Sequence, residues 1–372
     1  MLRYLTAGES HGPALVGIVE GLPAGLALSG EDLAGDLARR QAGYGRSARQ
    51  RLEADRAEIL AGVIEGVTTG APLALLIANR ARPELGDPAR PPRTVPQPGH
   101  AELAGALKYG FGDVEWVAER ASARETAMRV AIGAVAKKLL SAVGVEVLGH
   151  VMAIGDVAAP ELDLPWPERV RRADGSAVRC LDPEASARMV ERIDQASQAG
   201  DTLGGIVQVV AVGLPVGLGS YVHPDRRLDA RLGAALLGIP AIKGVEIGPA
   251  FENSRLSGTQ VQDPIRLDGG RIVRPTNRAG GLEGGMTNGQ PLVVRAAMKP
   301  IPTTRRPQPS VDLATRAEAE TAYRRSDTCA VPAASVIAAA AVAWVLAEAV
   351  VERFGGDRVE ELVARVEMMR DA

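Results

Sequence analysis

The sequence predicts an α+β fold in which antiparallel β-sheets are surrounded by helices. Apolar runs typical of strands alternate along the chain with apolar stripes at helical spacing, and turn residues separate them. The composition supports a globular chain, because 46% of the 372 residues are hydrophobic and 24% are charged. We therefore predict one domain over residues 1–372 and exclude disorder, collagen and coiled coil.

The elements are predicted in chain order from these patterns. Apolar runs predict strands at 14–20, 58–64, 73–78, 145–154, 205–212, 244–248 and 292–297. Helical spacing predicts helices at 30–41, 100–109, 122–143, 183–198, 229–237, 333–353 and 359–368. The helix at 122–143 has the clearest start, because Ser122-Ala-Arg-Glu125 matches a capping box.

Two short sequence words recur in the same order in the two halves of the chain. Gly21-Leu-Pro-Ala-Gly-Leu26 resembles Gly213-Leu-Pro-Val-Gly-Leu218, and the eight residues from Gly66 resemble the eight from Gly285. Gly/Pro turns also recur by chance in a chain with 42 glycines. The shared order favours an internal pseudo-twofold repeat within one domain.

Several features predict a cytoplasmic protein without a membrane span. The apolar stretch at 333–351 is mostly alanine and contains Glu348, which makes it too weakly apolar for a span. The first residues lack the apolar run of a signal peptide. Cys180 and Cys329 are the only cysteines, so there is no disulfide framework.

Arginine placement predicts a site for a multiply anionic small ligand. Of the 43 basic residues 38 are arginine, yet the formal net charge is −2 and only 3% of residues are aromatic, which argues against nucleic-acid binding. A guanidinium directs paired donors at carboxylates and phosphates. Arginines cluster beside glycine turns or a helix start in three groups: Arg39, Arg40, Arg46, Arg49 and Arg51; Arg120 and Arg124; Arg324 and Arg325.

Familiar phosphate and metal motifs are missing from the sequence. There is no Rossmann or Walker glycine pattern, and the cysteines and histidines lack metal-ligand spacing. Two proline-rich loops, at 79–100 and 299–309, are candidate site segments. His11 and His100 are candidate acid–base residues, whereas His150 in a strand and His223 in a turn favour structural roles.

Seven motifs, taken in order, resemble the chorismate synthase family up to about residue 350. They are Gly8-Glu-Ser-His-Gly12, Arg40-Gln-Ala-Gly-Tyr-Gly-Arg46, Pro98-Gly-His-Ala101, Arg120-Ala-Ser-Ala-Arg-Glu-Thr-Ala127, Lys243-Gly-Val-Glu-Ile-Gly248, Gly284-Gly-Met-Thr-Asn-Gly289 and Arg325-Ser-Asp-Thr-Cys-Ala-Val-Pro332. The resemblance implies an anti 1,4-elimination of phosphate from 5-enolpyruvylshikimate 3-phosphate, giving chorismate. It also implies reduced FMN as cofactor, NADPH as a reductant in some members, and a homotetramer.

The resemblance further implies roles for individual residues. His11 would protonate or balance the reduced flavin, His100 would protonate the departing phosphate, and Asp327 would act with flavin N5 as the base. Substrate would contact Arg40, Arg46, Arg49 and Arg124, and Arg40 and Arg46 also match nicotinamide-nucleotide positions. The matched FMN positions are Arg120, Ala121, Ser122, Pro240, Ala241, Gly284, Lys299, Pro300, Ile301, Pro302, Thr303 and Arg325.

Two positions depart from the family pattern, and two other functions stay open. Gln97 stands where many members have arginine, and Ser326 stands where many have histidine. An FMN oxidoreductase would share the phosphate-binding arginines but would pass electrons onward. A non-enzymatic nucleic-acid or anion-binding protein would bind its ligand with steep salt dependence.

Overall fold

The computed structural model describes residues 1–46, 54–80, 90–324 and 326–370. In it, two antiparallel sheets lie on either side of two long helices. The strands are β1 (Arg3–Ala7), β2 (Ala14–Glu20), β3 (Glu58–Ala61), β4 (Val63–Ile64), β5 (Val67–Thr68), β6 (Leu73–Ala78), β7 (Glu146–Ile154), β8 (Val157–Ala158), β9 (Gly205–Val212), β10 (Ile242–Ile247), β11 (Arg266–Asp268), β12 (Arg271–Val273), β13 (Leu282–Glu283), β14 (Met286–Thr287), β15 (Leu292–Met298), β16 (Pro309–Asp312) and β17 (Ala317–Glu320).

The α-helices are α1 (Gly30–Gln41), α2 (Glu102–Tyr109), α3 (Glu115–Ala121), α4 (Thr126–Ala142), α5 (Trp166–Gly175), α6 (Pro183–Gln198), α7 (Leu228–Leu237), α8 (Ala250–Asn253), α9 (Gly258–Val261), α10 (Val331–Phe354) and α11 (Val359–Arg370). Short 3₁₀ turns occupy Ala123–Glu125 and Pro224–Arg226. The α+β prediction is confirmed, and the strands predicted at 14–20, 73–78 and 205–212 match to the residue.

The two large sheets repeat the same topology, as the recurring sequence words predict. The first has the order β1-β2-β6-β3, and the second contains β7-β9-β15-β10 in the equivalent arrangement, extended by β8. All neighbouring strands in them are antiparallel. In each half a helix follows the second strand of the sheet (α1 after β2, α7 after β9). A short hairpin precedes the third strand of the sheet (β4–β5 before β6, β13–β14 before β15), and a long helix follows that strand (α4 or α10).

The recurring words themselves make equivalent contacts in the two halves. The Thr68 hydroxyl donates to the Pro23 carbonyl at 2.6 Å and accepts from the Leu26 amide at 3.0 Å. The Thr287 hydroxyl does the same with Pro215 at 2.6 Å and Leu218 at 2.8 Å. The shared sequence therefore encodes one hydrogen-bonded turn that is built twice.

Helices α4 and α10 form the middle of the molecule, and each packs on its own sheet through a glycine. A Cβ added at Gly17 of β2 would lie 2.6 Å from the Met128 sulfur of α4, and one at Gly149 of β7 would collide with the Ser335 carbonyl of α10. By length and mean hydropathy (2.1) α10 could cross a bilayer, contrary to the expectation from its alanine content. However, 83% of its most apolar stretch is buried within the protein, so it is a core helix.

Three local expectations need correction. The strand expected at 58–64 is split at Gly62, whose φ of 89° interrupts the extended chain. No capping box forms at Ser122: its hydroxyl accepts from the Arg124 amide at 3.3 Å, and the Glu125 carboxylate pairs with Arg129 at 3.0 Å. Because Ser122 also ends α3, a 3₁₀ turn intervenes and α4 begins at Thr126.

The crossing of α4 and α10 gives a direct test of this packing. A Cβ added at Gly133 would lie 2.6 Å from the Ala340 Cα, and the sheets on both sides prevent the helices from separating. We expect Gly133→Ala to lower the free energy of unfolding by about 1–3 kcal/mol. Gly233→Ala on α7, which meets nothing within 4 Å, is expected to raise it by about 0.5–1 kcal/mol. Equal effects in chemical denaturation would contradict this account.

Candidate active site

Three of the predicted arginines converge in the interior, and one of them comes from a distant part of the sequence. Arg40 lies in the last turn of α1, Arg46 in the glycine-rich turn after it, and Arg124 in the 3₁₀ turn before α4. Arg40 is only 3% exposed and Arg124 8%. Burial, followed by the charge of Arg46, lowers the pKa of Arg40 to about 9. Such crowding of buried cations favours an anionic ligand among them.

Among the described residues, two carboxylates form ion pairs with this arginine cluster. Asp55 accepts from Arg124 Nη1 at 2.6 Å, and its other oxygen lies 3.6 Å from Arg40 Nη1. Asp327 lies 2.9 Å from Arg46 Nη1. Among the described residues, Arg40 Nη1 and Arg46 Nε are buried without a hydrogen-bond acceptor. A buried donor left without an acceptor costs about 1–3 kcal/mol, which an anionic ligand would offset.

His11 is held beside the cluster by a buried carboxylate on α3. Its ring Nδ1 lies 2.6 Å from Glu119 Oε1, and its backbone amide donates to Glu119 Oε2 at 2.7 Å. Burial raises the pKa of Glu119, but the hydrogen bonds from His11 outweigh burial and lower it. The ionised carboxylate therefore fixes both the ring and the backbone of His11. The next residue back, Ser10, accepts a hydrogen bond from the Ser122 hydroxyl at 3.2 Å.

His100 stands where the first proline-rich loop meets the second. Its Nδ1 is 3.3 Å from Glu102 Oε1, and the Glu102 carboxylate also accepts from the Gln97 amide at 2.6 Å. Burial raises the pKa of Glu102, but contacts with His100 and Arg93 lower it to about 2. Lys299 donates to the Gly99 carbonyl at 2.6 Å, which ties the two loops together at the histidine.

Most of the described residues predicted to contact flavin fall into two groups, and Gly284 lies apart from both. The Lys299 amide donates to Ala241 at 2.9 Å, and the adjoining loop receives bonds at Ile301 from Thr202 at 2.6 Å and at Thr303 from Ser326 at 2.9 Å. Arg120 donates to the Gly8 and Thr6 carbonyls at 2.9 and 3.0 Å, beside Ser10 and Ser122. Gly284 lies in the β13–β14 hairpin, whose bonds run to Leu218 and Leu228 instead. Arg49 and Arg325 lie outside the described residues.

Other members of the predicted arginine groups are used for ion pairing. Arg39 pairs with Asp36 and Asp174, each at 3.0 Å, on the exposed side of α1. Arg324 pairs with Glu115 at 2.7 Å. Only some of the described arginines therefore belong to the candidate anion-binding site, because protein carboxylates neutralise Arg39 and Arg324.

Sequence reasoning missed the acidic and amide partners of the site. They are Asp55, Asn79, Glu102, Glu115 and Glu119. Asn79 accepts from Arg124 Nε at 2.9 Å and donates to the Gly12 carbonyl at 2.8 Å, which links the arginine cluster to the His11 turn. The usable signal was charge balance, since buried arginines require nearby carboxylates.

Cys329 is packed in the core, which argues against a role as nucleophile. Its side chain is fully buried, and burial raises the pKa of its thiol to about 11. A thiol with such a pKa carries almost no thiolate at neutral pH.

The burial of His150 agrees with the structural role predicted for it and leads to a prediction of how stability depends on pH. It is 1% exposed, and burial followed by Arg169 lowers its pKa from 6.5 to about 3. Between those values the unfolded chain binds a proton that the folded chain does not, so acid favours unfolding. We expect His150 to lower the free energy of unfolding by about 1 kcal/mol for each pH unit as the pH falls below 6.5. The stability of His150→Gln should fall less steeply between pH 7 and 5; parallel denaturation curves would contradict this assignment.

Comparison with known proteins identifies the family. The family model described as chorismate synthase matches residues 2–351. The chain belongs to the chorismate synthase family. The chorismate synthase of Moorella thermoacetica is 56% identical, covering 100% of this chain and 98% of its own, and that of Thermus thermophilus is 55% identical, covering 100% and 99%. A solved crystal structure of chorismate synthase superposes with a TM-score of 0.81 at 41% identity, covering 100% and 99% of the two chains.

The two departures from the chorismate synthase pattern have structural uses here. The Gln97 side-chain amide donates to the Pro302 carbonyl at 2.8 Å, and the Ser326 hydroxyl donates to Thr303. Both side chains therefore fasten neighbouring segments to the second proline-rich loop. Arg93 lies in the same loop as Gln97 and pairs with Glu102, which also contacts His100. A positive charge is therefore still present close to this histidine.

Proposed function

We propose that this chain is a carbon–oxygen lyase that converts 5-enolpyruvylshikimate 3-phosphate into chorismate and phosphate by an anti 1,4-elimination. The observation that carries the proposal is the buried arginine cluster. Among the described residues, Arg40 Nη1 and Arg46 Nε are buried without a hydrogen-bond acceptor, and Arg46 also pairs with Asp327. A substrate with one phosphate and two carboxylates supplies the anionic oxygens that such donors require.

Substrate binding is assigned to Arg40, Arg46 and Arg124, with Arg49 by family resemblance. The ion pairs with Asp55 and Asp327 hold the described guanidiniums in place before substrate arrives. Preorganised charges lose little conformational freedom on binding. The site therefore selects a ligand by the spacing of its anionic groups.

Proton transfer is assigned to His100 and Asp327, and charge balance at the cofactor to His11. His100 would protonate the phosphate as its bond to C3 breaks, and Asp327 would accept the hydrogen that leaves C6. His11, gripped by Glu119 through its ring and backbone, would balance charge beside the cofactor. The electron pair of the C6–H bond forms a new double bond to C1, the existing C1–C2 double bond shifts to C2–C3, and phosphate leaves C3 with its bonding pair, which gives the diene of chorismate.

The residues at the site fit a flavin phosphate and ring. Arg120 and Lys299 supply cations, and Ser122 and the 299–303 loop supply polar groups. Arg129 donates to the Gly238 carbonyl at 2.9 Å, which links α4 to the turn preceding Pro240 and Ala241. Reduced FMN would contribute transient electron density to the elimination and would not be consumed.

A homotetramer in the cytoplasm completes the proposal. The outer face of the first sheet supports association, because Leu5, Ile18 and Leu60 are 76%, 46% and 58% exposed. Leu5 and Ile18 are paired across β1 and β2 on the face opposite α4. Apolar sheet faces of this kind are typical of subunit interfaces. Sedimentation velocity would measure the assembly, and a monomer would contradict it.

The test is anaerobic mixing of the protein, chemically reduced FMN and 5-enolpyruvylshikimate 3-phosphate. Release of phosphate with equal chorismate, while the flavin spectrum stays reduced at the end of turnover, is the expected result. Net flavin oxidation would identify an oxidoreductase instead, and absence of product would overturn the proposal. A second reaction with NADPH and oxidised FMN, without another reductant, determines whether the chain reduces its own flavin.

A further inference from the structure

Glu115, the first residue of α3, contacts three separate parts of the candidate site. Its side chain is only 8% exposed. One oxygen lies 2.9 Å from Arg93 Nε in the first proline-rich loop, and the other lies 2.7 Å from Arg324 Nη2. On a third side, atoms of His11, Glu115 and Glu119 all lie within 4.8 Å of one another. The reaction proposed above assigns no role to this buried carboxylate.

The contact with Arg93 leads to His100. Arg93 Nη2 lies 2.5 Å from Glu102 Oε1, the same oxygen that is 3.3 Å from His100 Nδ1. A second tie fixes the same junction, because Asp113 Oδ1 accepts from the Arg93 amide at 3.1 Å and from the Glu115 amide at 3.0 Å. The position of the loop bearing His100 therefore depends on the start of α3.

The same helix leads to His11. Glu119 lies one turn after Glu115, and its two oxygens contact the ring and the amide of His11. A helix holds residues four positions apart on one face. Glu115 thus anchors the N-terminal end of the element whose C-terminal end fixes His11.

The third contact leads to the segment that carries Asp327. Arg324 pairs with Glu115, and three residues later Asp327 pairs with Arg46 at 2.9 Å. Between them the Ser326 hydroxyl donates to Thr303 at 2.9 Å. Among the described residues, 321–324, 326 and 327 lie in no helix or strand, so local anchors hold Asp327. The Arg324 and Ser326 side chains anchor it on one side, and the Thr328 amide, which donates to the Gly45 carbonyl at 2.9 Å, anchors it on the other.

We propose that Glu115 is a positioning residue that holds His11, His100 and Asp327 in one arrangement. The proposal rests on the function proposed above. Glu115 also neutralises Arg93 and Arg324, and these two cations oppose occupation of the His11–Glu115–Glu119 group by a divalent metal ion. Its effect is exerted through other residues, without contact with substrate.

The test replaces Glu115 with glutamine, which keeps the size of the side chain and removes its charge. Because small displacements of catalytic groups cost up to about 100-fold, we expect Glu115→Gln to lower kcat by about 10- to 100-fold with little change in KM. Glu168→Gln is the matched control, since Glu168 also pairs with two arginines, Arg171 and Arg172, but lies on α5. Equal kcat values in the two variants would overturn the proposal.

Two further readouts separate positioning from general destabilisation. In the His100→Gln background, Glu115→Gln should cost much less than in the wild type, because part of what it positions is already gone; fully multiplicative losses would contradict the proposal. In flavin-free protein labelled with ¹³Cε1-histidine, Glu115→Gln should shift the signals of His11 and His100 but not those of His150 and His223. Movement of all four signals, or of none, would overturn it. An inactive wild type would refute the proposed function, whereas an active wild type with an unaffected variant would refute only the role of Glu115.

Discussion

Replacing Asp327 with asparagine is expected to lower kcat by roughly 10³-fold or more, within the range that general-base catalysis contributes. Asparagine keeps the shape of the side chain and an oxygen for Arg46, which lies 2.9 Å away, but it cannot accept the hydrogen that leaves C6. Stopped-flow measurement of chorismate formation under anaerobic conditions gives the rate. Flavin affinity, measured by fluorescence titration, should stay near the wild-type value.

The matched control is Asp156→Asn. Asp156 also pairs with an arginine, Arg192, at 2.7 Å, but it lies on the exposed surface. This variant should turn over at the wild-type rate. A wild-type rate in Asp327→Asn would remove Asp327 from the mechanism, and a loss of flavin binding in it would assign the residue to cofactor binding instead.

Replacing His100 with glutamine is expected to lower kcat by about 10²- to 10⁴-fold, because general-acid catalysis would be lost. Because the pKa of Glu102 is lowered to about 2, this carboxylate is ionised at neutral pH. Its Oε1 lies 3.3 Å from Nδ1 of the His100 ring. General-acid catalysis requires a proton on the imidazole that can pass to the phosphate. The alkaline limb of the pH–kcat profile, which reports loss of that proton, should therefore disappear in the variant.

His223→Gln serves as the control for this substitution. The His223 side chain is exposed, and its only hydrogen-bond partner among the described residues is Asp225. It should keep both the rate and the pH profile. An unchanged alkaline limb in His100→Gln would assign the proton donor to another residue, whatever the size of the rate loss.

Much of the fold could be predicted from local patterns. The strands at 14–20 and 205–212 and the helices at 30–41 and 183–198 match to the residue, because their apolar periodicity and their turn residues agree. Helices α3 and α5 were missed because they are short or strongly polar, with burial confined to a few positions. Strand β1 was missed because only its pairing with β2 distinguishes it from a polar terminus.

The candidate site was predicted less completely than the fold. Its cations were recognisable, since arginines beside glycine turns suggest an anion site in any chain. Glu102, Glu115 and Glu119 were not recognisable, because on helices α2 and α3 they look like ordinary surface acids. Only folding buries them against Arg93 and His11, where their charges become important.

The sequence by itself determined the family, the α+β class and the internal repeat, because ordered motifs and periodicity are properties of the chain. The tertiary structure alone decided which arginines share a site. Arg40, Arg46 and Arg124 meet because α1 and α4 pack together, while Arg39 and Arg324 are directed to carboxylates. The physical reason is that the net effect of a charge depends on its burial and its neighbours, and both are fixed only when distant segments come together.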